Sequence, residues 1–202
     1  MKKLGLLILS TSLMIFFTAC STKSHYVGKG TKKESPITLG LDSRDFEKAA
    51  SDMVKSLLAS GALNKSSTEK SVLMVSDILN DTTQRVDVKM LTKKIRVAIL
   101  KSGKAIVTTA VGTQRDDRAQ EVRTLRNNKE FRENTIAKEH TLYAPQLSLS
   151  GDILQRVSRT DDNDQYVEYY FQMTLTDIKT GLAIWEDETI IEKVGSNKSV
   201  IW

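Results

Sequence analysis

From Phe46 onward the apolar positions recur at helical spacing: Phe46, Ala49, Ala50, Met53, Val54, Leu57 and Leu58 fall at i, i+3, i+4, i+7, i+8, i+11 and i+12. One face of a helix is therefore apolar and must be buried against another element. Asp42 or Ser43 caps its start, and Gly61 supplies a left-handed stop. After the polar stretch Asn64 to Lys70, the run Ser71 to Leu79 reads as a buried strand ending at Asn80-Asp81-Thr82-Thr83. Asp87 opens a second helix, with Leu91, Ile95, Ala98 and Ile99 inward and Gly103 closing it. Lys104 to Ala110 is a short β-branched run, read as strand. Arg115 to about His140 is rich in charge, with only Val122, Leu125, Phe131 and Ile136 as spaced apolar positions, which predicts one or two exposed helices.

The last third changes period. Gln146 to Val157 alternates around Leu147, Leu149, Gly151 and Ile153, and Tyr166 to Ile178 puts Val167, Tyr169, Phe171, Met173 and Leu175 on one face. Thr180-Gly181 turns the chain, and Leu182 to Lys193 returns as an antiparallel partner. Helices first and a β-meander last predict an α/β fold, a mixed β-sheet covered by helices. Leu57, Val75, Phe171 and Leu175 are expected in its core. Tyr166, Tyr170 and Trp185 either pack this sheet or anchor an interface, since aromatic residues dominate interface energetics.

The segment before Asp42 has a different character. Lys2 and Lys3 precede a 16-residue apolar stretch, Leu4 to Ala19, which as a helix spans about 24 Å and falls short of the roughly 30 Å hydrocarbon core. The layout is that of a secretory leader, and retention as a spanning helix is disfavoured. Phe17-Thr18-Ala19 then runs into Cys20, the chain's one cysteine, a pattern resembling the lipobox of bacterial lipoproteins. The alternative is a plain signal peptide or a buried anchor whose cysteine is incidental. The expected organisation is a signal peptide over 1–19 cleaved between Ala19 and Cys20, a lipidated tether over 20–41, and one globular domain over 42–202. In lipoproteins the cysteine carries a diacylglycerol and an acylated amine, and several acyl chains make anchoring stable where one chain does not. Ser21 rather than Asp after the cysteine favours the outer membrane, by resemblance to enterobacterial sorting.

Location of charge removes one class of function. The net charge is +5, yet Lys2, Lys3, Lys23, Lys29, Lys32 and Lys33 against Glu34 account for it, and residues 42–202 hold 24 basic and 24 acidic residues. A neutral body is a poor counterion-displacing surface for nucleic acid, so no nucleic-acid partner is expected. Within that body the charge is polarised: Lys89, Lys93, Lys94, Arg96, Lys101 and Lys104 stand against Asp87, whereas residues 161–202 carry nine acidic and three basic residues. Either the basic helix and the acidic hairpin are neighbours whose fields partly cancel, or Lys89, Lys93, Arg96 and Lys101 form a face that docks an acidic partner.

Catalytic chemistry is hard to assemble. An acylated Cys20 is no nucleophile, and His140 has no Gly-x-Ser-x-Gly turn or comparable setting beside it. The carboxylate pairs at Asp116-Asp117, Asp161-Asp162 and Glu186-Asp187-Glu188 read as solvated loop or strand ends. Asp161 to Asp164 lacks the Gly and distal Glu of a calcium loop, and no metal, cofactor or enzymatic activity is expected.

The ordered set is distinctive: the Cys20 lipobox, a polar tether, Asp42-Ser43-Arg44-Asp45-Phe46, Val72 to Thr82, Lys101-Ser102-Gly103-Lys104, Leu147-Ser148-Leu149-Ser150-Gly151-Asp152-Ile153, and Tyr170 to Leu175 followed by Thr180-Gly181-Leu182-Ala183-Ile184-Trp185. Over Cys20 and residues 42 to about 193 it resembles the LpoB family of penicillin-binding-protein activators. That resemblance implies an outer-membrane lipoprotein whose domain, akin to the N-terminal domain of TolB, stimulates a bifunctional peptidoglycan synthase across the cell wall. The short tether, nearly free of proline, and the junction His140 to Pro145 depart from the family pattern. The competing expectation is a lipoprotein component of an envelope or secretion assembly with a CsgG-like domain.

Overall fold

The computed structural model describes residues 38–64, 69–196 and 198–199; the expected signal peptide, the Cys20 lipidation site and the tether up to residue 37 lie outside them. Helix α1 (Ser43–Ser60) begins at a capping box in which the Asp42 carboxylate accepts from the N–H groups of Arg44 and Asp45, while Asp45 accepts from the Asp42 N–H. It ends at Gly61, whose φ of 77° only glycine adopts without strain. Strand β1 (Ser71–Asp81) follows, then α2 (Val88–Ser102), capped by Asp87 and stopped by Gly103 at φ 67°. The remaining elements are β2 (Ala105–Val107), α3 (Asp117–Arg123), β3 (Leu147–Arg159), β4 (Gln165–Asp177) and β5 (Leu182–Gly195), with short 3-10 turns at Thr124–Asn127 and Glu133–Thr135.

The five strands form one mixed sheet in the order β2-β1-β3-β4-β5. β1 is parallel to both β2 and β3, and β3, β4 and β5 are successively antiparallel. Both long helices pack on the same face, α1 against β5 and α2 against β1 and β2. Alternation sends Leu147, Leu149 and Ile153 of β3 and Val167, Tyr169, Phe171, Met173 and Leu175 of β4 into that helix-covered side, all buried. The rings of Phe46 on α1 and Phe171 on β4 meet edge to face at 6.1 Å and 86°, joining the two layers. Gly151 stands among these inward positions because a Cβ there would lie 2.4 Å from the Gln172 carbonyl oxygen of the neighbouring strand. The four expected core residues are fully enclosed, none more than 4% exposed.

Three stretches differ from the sequence expectation. The run expected to be strand from Lys104 to Ala110 forms only three strand residues, and the chain leaves the sheet edge after a last hydrogen bond from the Thr108 N–H to the Leu73 carbonyl at 2.9 Å. The segment expected to form exposed helices forms one seven-residue helix and two 3-10 turns, since Val122 and Phe131 stay exposed and supply no buried apolar stripe to sustain a longer helix. Residues 38–41, expected in the tether, pack on the domain: Leu39 is 6% exposed and belongs to the core cluster. The Leu39 carbonyl accepts from the Tyr169 hydroxyl at 2.9 Å, the Leu41 N–H donates to Gln84 Oε1 at 3.0 Å, and the Gln84 amide donates in turn to the Tyr169 hydroxyl. Gln84 is itself buried, so this network satisfies polar groups that would otherwise be costly to enclose.

Candidate functional site

Helix α2 places the sequence-predicted residues. Leu91, Thr92, Ile95 and Ile99 are buried, which turns positions 89, 93, 97, 100 and 101 toward solvent. Lys89, Lys93 and Lys101 are exposed, and none of the three has an ion-pair partner among the described residues. Met90, Val97 and Leu100, exposed at 42%, 38% and 48%, interleave with them along the same outer stripe. Periodicity marks the buried face of a helix, so these apolar positions carry no signal of their own in the sequence, although their spacing of seven and three residues puts them beside the lysines. Arg96 lies on the flank of the stripe, half-buried, with its Nε enclosed and without a hydrogen-bond partner. Lys94 is drawn to the other side, 3.8 Å from Glu47 of α1. The result is a convex face of three free ammonium groups among three apolar side chains, a mixture suited to steering and then burying an acidic partner surface.

The acidic hairpin does not neutralise it. Glu186, Glu188 and Glu192 of β5 point to the sheet face turned away from α1 and α2, while Asp187 points the other way and accepts from the Ser56 hydroxyl of α1. The polarisation seen in the sequence therefore separates the two layers of the fold. On the open face Thr174 Oγ1 donates to Glu186 at 3.0 Å, Gln172 Nε2 to Glu188 at 2.6 Å, Tyr170 to Glu168 at 2.9 Å, and Tyr166 to Glu192. The hydrogen bond to Glu192 pushes the Tyr166 hydroxyl up to about 12, so it remains a donor throughout the physiological range. Trp185 is buried and packs the sheet, whereas Tyr166 and Tyr170 belong to this open face.

Other candidates stay apart. His140 is exposed in a left-handed backbone conformation, φ 57°, and Asp161 to Asp164 form the β3–β4 turn. Among the described residues no group of His, Cys, Asp and Glu is arranged to hold a metal ion. A groove of about 540 Å³ lies where the 108–146 segment meets β1 and β2, lined by Val72, Ile106, Arg123, Leu142 and Tyr143 among others. Arg123 is engaged in holding its wall, donating to the Lys138 carbonyl at 3.1 Å and the Thr141 hydroxyl at 2.8 Å.

Solved structures with likeness to this chain include the LpoB C-terminal domain from Escherichia coli, at 18% identity and a TM-score of 0.42, covering 74% of this chain and 99% of that one. The corresponding domain from Salmonella enterica gives 17% identity and a TM-score of 0.43 over 74% of this chain and 99% of that one. The lipoprotein GNA1162 from Neisseria meningitidis gives 17% identity and a TM-score of 0.35, covering 63% of this chain and 88% of that one. No curated protein matches the chain significantly. The sequence profile of the peptidoglycan-synthase activator LpoB matches residues 45–191, from the capping box of α1 to the end of the buried part of β5, and the chain therefore belongs to the LpoB family of peptidoglycan-synthase activators.

Proposed function

We propose that this chain is a lipoprotein, anchored through Cys20 in the outer membrane and facing the periplasm, that binds and activates a bifunctional penicillin-binding protein without turnover of its own. The observation that carries the reading is the outer face of α2: Lys89, Lys93 and Lys101, with no ion-pair partner among the described residues, project between exposed Met90, Val97 and Leu100 on a domain of an activator family. Free cations of this kind accelerate encounter with an acidic surface, and the apolar side chains between them supply contact area once docked. Activation follows if the synthase's active conformation is the one that presents the complementary surface, because a ligand shifts an equilibrium only by its differential affinity for the two states.

Reach constrains the mechanism. With residues 38–41 bound to the domain, the chain from Ser21 to Ile37 spans at most about 61 Å when fully extended. The partner must therefore project well into the wall. The test is glycan polymerisation and cross-linking by a purified synthase of the same organism with residues 21–202 added in excess. Stimulation that falls on Lys93→Glu/Lys101→Glu supports the reading. Absence of binding and stimulation across every bifunctional synthase of that organism overturns it. Anchoring is tested separately, by fatty-acid labelling that disappears with Cys20→Ala.

A further inference from the structure

We infer that the β3–β5 part of the sheet face turned away from α1 and α2 is a docking surface for the outer face of α2 on a second copy of this chain, so that copies associate head to tail. On β3, β4 and β5 this face carries Asp152, Glu168, Glu186, Glu188 and Glu192, with Arg156 as its cation among the described residues. Glu168 and Glu192 are paired directly across β4 and β5, where like charges repel. Arg156 approaches Glu168 only to 3.9 Å, and the donors that reach the two carboxylates from β4 are neutral tyrosine hydroxyls. The carboxylates are thus held in place by hydrogen bonds but incompletely neutralised, which favours a cation arriving from outside and lowers the ordering cost of receiving it. Ile190 and Val194, 42% and 58% exposed, lie among them.

The complementary surface is on the same molecule. Lys89 to Lys101 spans twelve helical residues, about 18 Å, and Glu186 to Glu192 spans six strand residues, about 20 Å. Both stripes alternate charge with exposed apolar side chains. A sheet covered by helices on one face accepts a helix on the other in the manner of a three-layer α/β fold. Because the two stripes lie on opposite sides of the domain, the contact is heterologous and propagates from copy to copy instead of stopping at a dimer. It also occupies the α2 face of each inner copy, so self-association and partner docking exclude one another there.

Sedimentation velocity on residues 21–202 tests this; the buried core cluster runs from Leu39 to Ile191, so that chain retains all of it. The expected result at about 10 mM salt, where the Debye length is about 30 Å, is a sedimentation coefficient that climbs with concentration past the dimer value, and a monomer value at about 1 M salt, where that length is about 3 Å. Lys93→Glu/Lys101→Glu and Glu186→Lys/Glu188→Lys, each with an unchanged thermal melt, should each be monomeric alone, and an equimolar mixture of the two should associate again. A wild-type chain that stays monomeric at low salt overturns the inference. So does association that survives either charge reversal, or variants whose mixture fails to restore it.

Discussion

Lys193 of β5 and Asp45 in the first turn of α1 meet at 2.5 Å across 148 residues of sequence, with side chains only 14% and 13% exposed. The same ammonium donates to the Gly40 carbonyl at 2.5 Å, so one side chain ties the last strand to the first helix and to the segment before it. Lys193→Met should destabilise the domain by about 3–5 kcal/mol, because it leaves the Asp45 carboxylate enclosed without its counterion. Urea midpoints measure this, and a shift under about 0.5 kcal/mol would place the pair among ordinary surface contacts.

The pH dependence has two limbs. Burial pushes the Asp42 carboxyl up, but hydrogen bonds from the Arg44 side chain and backbone, with the charge of Lys193, outweigh it and hold the group below its ordinary value. The backbone N–H and then the hydroxyl of Thr180 lower Asp177 in the same direction. A carboxyl depressed by folding contributes stability that is present above about pH 4 and is lost as the pH falls through the lower folded value. Tyr169 is the reverse: burial pushes its hydroxyl up to about 12, so its contribution is complete below about pH 10 and is lost as the pH rises through the folded value. Denaturant midpoints across this range should fall at both ends. Asp42→Asn should flatten the acid limb and Tyr169→Phe the alkaline one.

A chain beginning at Thr38 should be more stable than one beginning at Asp42. The difference should approach that of losing one buried leucine, about 2–5 kcal/mol, since Leu39 leaves a core in which it is 6% exposed. Leu39→Ala in the longer chain should reproduce most of the loss, and equal melting of the two chains would contradict the packing described for residues 38–41.

Layer contact between α1 and the sheet depends on Phe46 and Phe171. Phe171→Ala should cost about 3–5 kcal/mol. A double-mutant cycle with Phe46→Leu should return a coupling of about 0.5–1.5 kcal/mol for the edge-to-face pair. Gly151→Ala should destabilise by about 1–3 kcal/mol, because its Cβ would press on the Gln172 carbonyl and force β3 from β4. Chemical denaturation with unchanged m values checks each figure.

For the proposed partner, Lys93→Glu/Lys101→Glu should slow association roughly tenfold at low salt and leave dissociation much less affected, the signature of steering charges at a rim. Val97→Ser/Leu100→Ser should act on dissociation instead. Stopped-flow or surface-immobilised kinetics separate the two.

What was legible in the sequence was local. The caps at Asp42, Asp87, Gly61 and Gly103 lie within a few residues of what they terminate, and the period of two over Val167 to Leu175 states which face is buried. The outward position of Lys89, Lys93 and Lys101 follows from the same arithmetic, because Leu91, Ile95 and Ile99 fix the inner face of α2. Residues 38–41 gave no such signal: Leu39 and Leu41 are too few to make a period, and their partners Gln84, Tyr169 and Lys193 come from three distant parts of the chain. The parallel pairing of β1 with β3 is equally silent, since the register of Leu73 with Leu147 is set across more than seventy residues. The 108–146 segment misled because charged, helix-prone residues describe propensity, and without a buried apolar stripe propensity sustains only a short helix.

The fastening of residues 38–41 also decides how the domain bears mechanical load. A pull arriving at Thr38 meets Gln84 from the β1–α2 connection, Tyr169 from the middle of β4 and Lys193 from β5 before it reaches the first turn of α1. Tension is shared among three segments of the body, so α1 is shielded from being peeled away end first. A protein tugged by its amino-terminal side should accordingly yield in one high-force event when this clasp opens, and not by gradual unwinding of the helix.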